Sequence, residues 1–152
     1  TLARLGKFHE AKEELEKSIQ IKQHIGAFQG ISEAFVWLAD VNIRLKRFDE
    51  VCKCSEKALS LMKSKSTNFE HWLYNLCFYH IAIAQLKLHY LSKAKDSFKR
   101  FINLSKSSNL LDNNEMKKLY NENIFEYTAN DTLETLCQKS EKIYDVVYKC
   151  MK

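Results

Sequence analysis

Residues 38–59 read LADVNIRLKRFDEVCKCSEKAL. Leu38-Ala39 opens the stretch, Phe48 sits at its centre and Ala58-Leu59 closes it. On one side Phe35, Leu38, Ala39 and Asn42 fall at helical spacing; on the other, Val51, Ser55, Ala58, Leu59 and Met62 do the same. Residues three and four apart share one helix face, so the spacing predicts helices over 31–45 and 49–63, joined at Lys46-Arg47-Phe48. Asp49 is the candidate cap of the second helix.

The same spacing recurs on either side. Ala11, Val51 and Ala94 occupy equivalent places, as do Leu15, Ser55 and Phe98, and Ser18, Ala58 and Phe101. Phe8, Phe48 and Leu91 each stand three residues before the first of these, and Leu38-Ala39 aligns with Ile81-Ala82. The steps are 40 and 43 residues. A recurring period with small residues where helices cross is the pattern of a stacked helical array.

Towards the N-terminus, residues 1–5 read as the tail of a helix, Gly6-Lys7-Phe8 as a turn, and 9–23 as a helix with Ala11, Leu15, Ser18 and Ile19 inward. Four glutamates precede Lys17 and Lys22, an order that suits the helix dipole. His24-Ile25-Gly26 is the expected stop. Towards the C-terminus, residues 63–68 (KSKSTN) read as a loop, with Ser66 or Thr67 capping a greasy helix over 69–88. Trp72, Leu73, Leu76, Cys77, His80, Ile81 and Ala84 follow helical spacing there, and Ile83, Leu86 and Leu88 widen the face, so burial on most sides is expected. His89-Tyr90-Leu91 reads as the next turn and Ser92 as a cap. The following helix, to about Lys106, presents Ala94, Phe98, Phe101 and Ile102. After a polar loop, a weaker helix is expected over 115–127, a turn over 128–131, and a long final helix over 132–152. Its inward face holds Leu133, Leu136, Cys137, Ser140, Ile143, Tyr144, Val147 and Met151.

Composition agrees with an all-α reading. The 152 residues include no proline and three glycines, fewer turn residues than a strand-rich fold of this size needs. Net charge is +5, but Lys and Glu are interspersed, and the one dense basic cluster is Arg44, Lys46 and Arg47. A nucleic-acid footprint is a stronger single-face stripe, so nucleic acid is not the expected partner. Five scattered cysteines, an odd number, point to a reducing, cytoplasmic setting. The opening TLARLGKFHE has no apolar leader, and the greasy run at 72–88 contains Asn75, His80, Gln85 and Lys87, so no membrane span is expected. The chain opens inside a helical pattern and not on Met, so it is expected to be a piece of a longer protein.

These residues resemble the tetratricopeptide repeat (TPR) family. Phe35, Leu38, Ala39, Phe48 and Ala58 carry the resemblance in the middle repeat; Phe78, Ala82, Ala94 and Phe98 in the next; Gly6, Phe8, Ala11 and Leu15 in the second half of the first. The period exceeds the family's usual ~34 residues. It is similar to a longer-period subclass found in kinesin light chains, rapsyn and G-protein-regulating scaffolds, where extended helices replace a closing proline. Residues 24–30 (HIGAFQG) look like the link of that subclass. The resemblance covers residues 1–107. Val51, Ser55 and Phe101 depart from the consensus, and Asn121 stands where a small residue belongs. The resemblance implies antiparallel helix pairs stacked into a right-handed superhelix, with 108–152 either a degenerate repeat or a capping helix pair.

No catalytic motif is present: there is no Gly-rich phosphate loop, nucleophile elbow or HExxH. Cys52 and Cys54, two apart on a helix, face different ways, and Cys77 with His80 supplies two ligands where a zinc site needs four. No enzyme activity, metal or cofactor is expected. The resemblance implies instead that the first helices of the pairs line a groove. Arg4, Val36, Trp37, Asp40, Arg44, Tyr79, His80, Ile83 and Lys87 are the carried-over partner-binding residues. In the family's chaperone-tail clamp, Lys and Asn grip a carboxylate; the matching positions are Val36 and Asp40, or Leu76 and His80. An Asp there repels a carboxylate, so no such clamp is expected. Mixed apolar, aromatic and charged residues suit a partner helix or extended peptide. The implied function is a protein–protein interaction scaffold or adaptor, cytoplasmic or cytoskeleton-associated, with no small-molecule substrate. The alternative is a ligand- or peptide-sensing repeat domain of a transcriptional regulator or of a regulated enzyme.

Overall fold

The computed structural model describes the backbone of residues 2–26, 30–62, 68–106 and 113–151, and the side chains of 6–26, 30–62, 72–106 and 113–149. Among these residues there are seven helices and no strand: α1 (Leu2–His24), α2 (Ile31–Arg44), α3 (Phe48–Met62), α4 (Asn68–Lys87), α5 (Leu91–Lys106), α6 (Asn114–Asn121) and α7 (Leu133–Met151). The fold is all-α and tetratricopeptide-like. Helices α2 and α3 form one hairpin and α4 and α5 a second; α1 packs on α2, α3 on α4, and α2 beside α4.

The repeat is written in the turns. Lys46 adopts a left-handed φ of 61°. Its N–H donates to the Ile43 carbonyl at 3.1 Å, and the Arg47 N–H donates to the Asn42 carbonyl at 2.9 Å. His89 has φ 65°, donates to Leu86 at 3.2 Å, and is followed by Tyr90 donating to Gln85 at 2.8 Å. Each is a Schellman ending, which satisfies the last carbonyls of a helix and reverses the chain. All four positions are offset by 43, the step read between Val51 and Ala94. A polar contact repeats with it: Asn42 Nδ2 lies 3.8 Å from Cys54 Sγ, and Ser97 Oγ donates to Gln85 Oε1 at 2.8 Å.

The core lies between the hairpin layers. Val51, Ala58, Ala94, Phe98, Phe101 and Ile102 are wholly buried on the second helices. Ala39 and Ala82, equivalent by the same offset, are wholly buried on the first. A small residue at these crossings lets the backbones of paired helices approach closely. Trp72, Leu73, Leu76, Cys77, Tyr79, His80, Ala82 and Ala84 are buried on α4, which is enclosed on most sides.

Several local expectations differ from what forms. Helix α1 is continuous through Gly6, with no turn at Gly6-Lys7-Phe8. One glycine costs a helix about 1 kcal/mol relative to alanine, and neither a proline nor a capping motif breaks this one. Asp49 and Ser92 are not caps: α3 begins at Phe48 and α5 at Leu91, so both lie inside the first turn. The left-handed residues at 46 and 89 set those starts. Ser66 and Thr67, the expected caps of α4, lie outside the described residues, as does Phe28 in the expected link.

The expected helix over 115–127 is shorter. Asn113 caps α6, its side chain accepting from the N–H groups of Glu115 and Met116 at 2.8 and 3.4 Å. The helix stops at Asn121, because Asn123 turns left-handed (φ 60°) and Ile124 donates back to Leu119. Asparagine tolerates that conformation better than most residues. The stop buries Ile124 and Phe125 beneath the turn. Thr132 then caps α7, its Oγ1 accepting from Thr135 N–H at 3.1 Å. Lys139 reaches back to the Glu126 carbonyl at 2.6 Å and to Asp131 at 3.4 Å. Leu136, Ser140, Ile143 and Val147 form a wholly buried stripe on α7, which packs against α5, with further contacts to α6 and α4.

Candidate functional site

The inner side of α2 and α4 is occupied by α7. Trp37 meets Tyr148 edge-on at 6.1 Å between ring centroids, and Asp40 Oδ1 accepts from the Tyr144 hydroxyl at 3.0 Å. Three residues along α2 thus correspond to four residues back along α7, so the helices are antiparallel. On α4, His80 meets Tyr144, and Lys87 acts electrostatically on the Cys137 thiol, which gives the same sense. Helix α7 thus runs against both α2 and α4.

An aromatic ladder fills the site. Tyr144 stacks on Tyr79 at 4.3 Å with rings 11° from parallel, and on Tyr148 at 5.7 Å and 26°. Tyr79 rests in turn on Phe101 and Phe98 of α5. Offset stacks and edge contacts align the ring quadrupoles favourably and add about 0.5–1.5 kcal/mol per pair beyond the area they bury. Burial pushes the phenols of Tyr79 and Tyr144 well above their ordinary value, so both stay protonated and Tyr144 remains a donor to Asp40.

His80 lies at the floor. It is wholly buried, and neither ring nitrogen has a hydrogen-bond partner among the described residues. Its Nε2 stands 4.0 Å from Asp40 Oδ1, too far for a hydrogen bond. Burial lowers its pKa to about 4, with the Asp40 charge pulling the other way. The imidazole is therefore neutral at pH 7. Asp40 itself keeps 14% of its side-chain surface exposed.

The nine carried-over residues are placed differently from one another. Val36 is wholly buried and Tyr79 and His80 are buried, all three within the core. Trp37, Asp40 and Ile83 are half-buried, the first two beneath α7. Arg44 and Lys87 are exposed, at equivalent positions near the ends of α2 and α4. The Arg44 guanidinium lies 5.6 Å from the Phe8 ring centre, joining α2 to α1. The Arg4 side chain lies outside the described residues. The residues missed at this site are Tyr148 and the contact role of Tyr144. Cys137, Tyr144 and Tyr148 stand seven and four apart, a second stripe beside the apolar one, and that spacing was the available signal.

The arrangement offers aromatic faces, one carboxylate and two cations, and no juxtaposed nucleophile and base. No cluster of three metal-ligating side chains occurs among the described residues. Burial raises the thiol of Cys54 and takes that of Cys77 to about 12, which keeps both unreactive. Among the described residues no helix is long and apolar enough to cross a membrane.

A family model described as tetratricopeptide repeat matches residues 1–24. That match supports a tetratricopeptide repeat. It falls on α1, and the two helical hairpins follow it. Neither a curated protein nor a solved structure matches the chain.

Proposed function

We propose that the chain is a non-enzymatic protein–protein interaction module, an adaptor within a larger assembly that holds a helix or extended peptide of a partner against the inner face of α2 and α4. The observation that carries this reading is that this face already holds a helix, α7, through aromatic stacking and one buried-edge hydrogen bond. Helix-in-groove recognition uses anchors at that spacing. Repeats of this family generally mediate contacts between proteins, in agreement with the match at residues 1–24. We read 1–107 as repeats of the long-period subclass and 108–152 as a capping helix pair; the tyrosines that α7 lays on α2 and α4 support the cap over a fourth repeat. Arg44 and Lys87, exposed at equivalent positions, suit an acidic surface on the protein partner. The free thiols of Cys52, Cys54, Cys77 and Cys137 suit a reducing, cytoplasmic setting.

The test is site-specific photo-crosslinking in the source cell. A photoreactive residue at Lys87 or Arg44 is expected to trap a discrete protein, and one at Lys53, exposed on α3, is expected not to. Equal trapping at all three positions sinks the groove reading.

A further inference from the structure

The two hairpins carry the same contacts on the side of the first helix that faces away from α7, but only the second hairpin closes them. There Arg100 lies 4.8 Å from the centre of the Phe78 ring, and Ser97 donates to Gln85 at 2.8 Å. In the first hairpin Lys57 lies 5.5 Å from the Phe35 ring, and Asn42 faces Cys54 at 3.8 Å. Each of these four residues stands 43 before its counterpart. Asparagine is one methylene shorter than glutamine, and a thiol is a weak partner. The Asn42 side chain is 1% exposed, and its Oδ1 has no hydrogen-bond partner among the described residues. A buried acceptor without a donor is costly, and most such groups in folded proteins are satisfied.

Between α1, α2 and α3 this difference leaves a recess of about 230 Å³. Phe35 and Leu38 give it an apolar floor, and Asn42 marks one end, about 10 Å along α2 from Phe35. Lys57 stands at the Phe35 end, and Lys53 follows one turn along α3. Lys12 is held by Glu50 at 2.6 Å and lies 3.9 Å from Glu16. Lys53 acts on Glu50 through charge, and Lys57 is engaged by the Phe35 ring; both are exposed. In the second hairpin Asp96 replaces Lys53, and Cys52 stands 40 after Lys12, so these cations belong to the recess and not to the repeat. Drug-sized ligands occupy about 300–1,000 Å³. The recess therefore suits a small molecule and not a helix.

We propose that this recess binds a small aromatic carboxylic acid with a hydrogen-bond donor at its far end. The carboxylate meets Lys57 and Lys53, the ring lies on Phe35 and Leu38, and a hydroxyl or amide N–H donates to Asn42 Oδ1. Glu50 acts through charge on Cys54, beside Asn42, so the Asn42 end repels an acid and fixes the ligand's direction. A ring with a short acid arm matches the length of the floor, and offset stacking on Phe35 favours a ring over an alkyl chain. The recess is separate from the face of α2 that meets α7, and its occupancy leaves the partner-binding reading unchanged.

The experiment is calorimetric titration of the whole chain at neutral pH with two probes, para-hydroxyphenylpropionate and phenylpropionate, which differ by one hydroxyl. The hydroxylated acid is expected to bind with Kd below about 1 mM, and the acid without the hydroxyl about fivefold more weakly. Lys53→Gln/Lys57→Gln, two exposed positions, is expected to weaken both acids about tenfold. Arg100→Gln, the counterpart in the second hairpin, is expected to change neither. Asn42→Leu is expected to bind the two acids equally. No binding of either acid overturns the proposal. Equal affinity of the two acids for the unaltered chain overturns it, because Asn42 is then not read. Binding that ignores the lysine changes, or that Arg100→Gln weakens as much, also overturns it, because the acid then sits elsewhere. Should Asn42→Leu fail to fold, the two acids compared on the unaltered chain decide the same point.

Discussion

His80 carries the sharpest consequence of burial. The folded protein holds its ring neutral among Tyr79, Tyr144 and the Asp40 carboxylate, with a pKa of about 4 against an ordinary 6.5. As pH falls through 6.5 the unfolded chain takes up the proton first, so stability declines. Below about 4 both states are protonated and the decline from this group ends. The loss over that window is about 3 kcal/mol. Urea denaturation between pH 7 and pH 4 should therefore be steeply pH-dependent in the unaltered chain, and less so by that amount in His80→Phe. An equal pH dependence in the two proteins would mean the ring is not held neutral. At neutral pH, Tyr144→Phe removes one hydrogen bond to a charged, half-buried acceptor. A cost of about 1–2 kcal/mol is expected in denaturant titration, without loss of helix.

At the scale of elements, the two hairpins use a non-glycine residue where the chain must turn left-handed. Lys46 and His89 pay about 1 kcal/mol or more for that conformation. Lys46→Gly and His89→Gly should each raise stability by about 0.5–1 kcal/mol, and alanine at either position should give no gain. A destabilised glycine variant would show that the side chain, and not the turn, is what matters there. These turns also separate what local spacing dictates from what it does not. The period placed both reversals to within two residues, because apolar spacing is a property of each helix by itself. Asp49 and Ser92 are good cap residues by type, yet the start of each helix follows from the Schellman geometry one residue upstream. Gly6 shows the converse: a glycine permits a turn and does not compel one.

At the scale of the molecule, stability in a stacked array passes between neighbouring layers. Phe101 sits under Tyr79, and Tyr79 carries Tyr144, so one α5 side chain supports both α4 and α7. Phe101→Ala should cost about 3–5 kcal/mol and speed hydrogen exchange in α4 and α7 together. Val51→Ala, in the preceding hairpin, should leave exchange in α7 unchanged, with Val51 as wholly buried as Phe101. Parallel acceleration in both variants would mean that the chain opens as one unit and not by layers.

The chain's own pattern determined that it is helical, that it repeats at a step of 43 between its two complete hairpins, and which faces of α2 to α5 are apolar. Each of these depends on residues three, four or a few tens of positions apart along one strand of sequence. The contact of α7 with α2 and α4 is different in origin. Asp40 and Tyr144 are separated by 104 residues. Nothing in the spacing of either helix says that the last one turns back, runs against α2 and α4, and lays its tyrosines on the face the repeats present. That arrangement follows from the left-handed Asn123, which ends α6 early, and from the burial of Ile124, Leu136, Ile143 and Val147, which fixes the direction of α7. Periodicity is a local quantity and survives in sequence. The choice of which two apolar faces meet is a competition among all of them, and only the folded chain decides it.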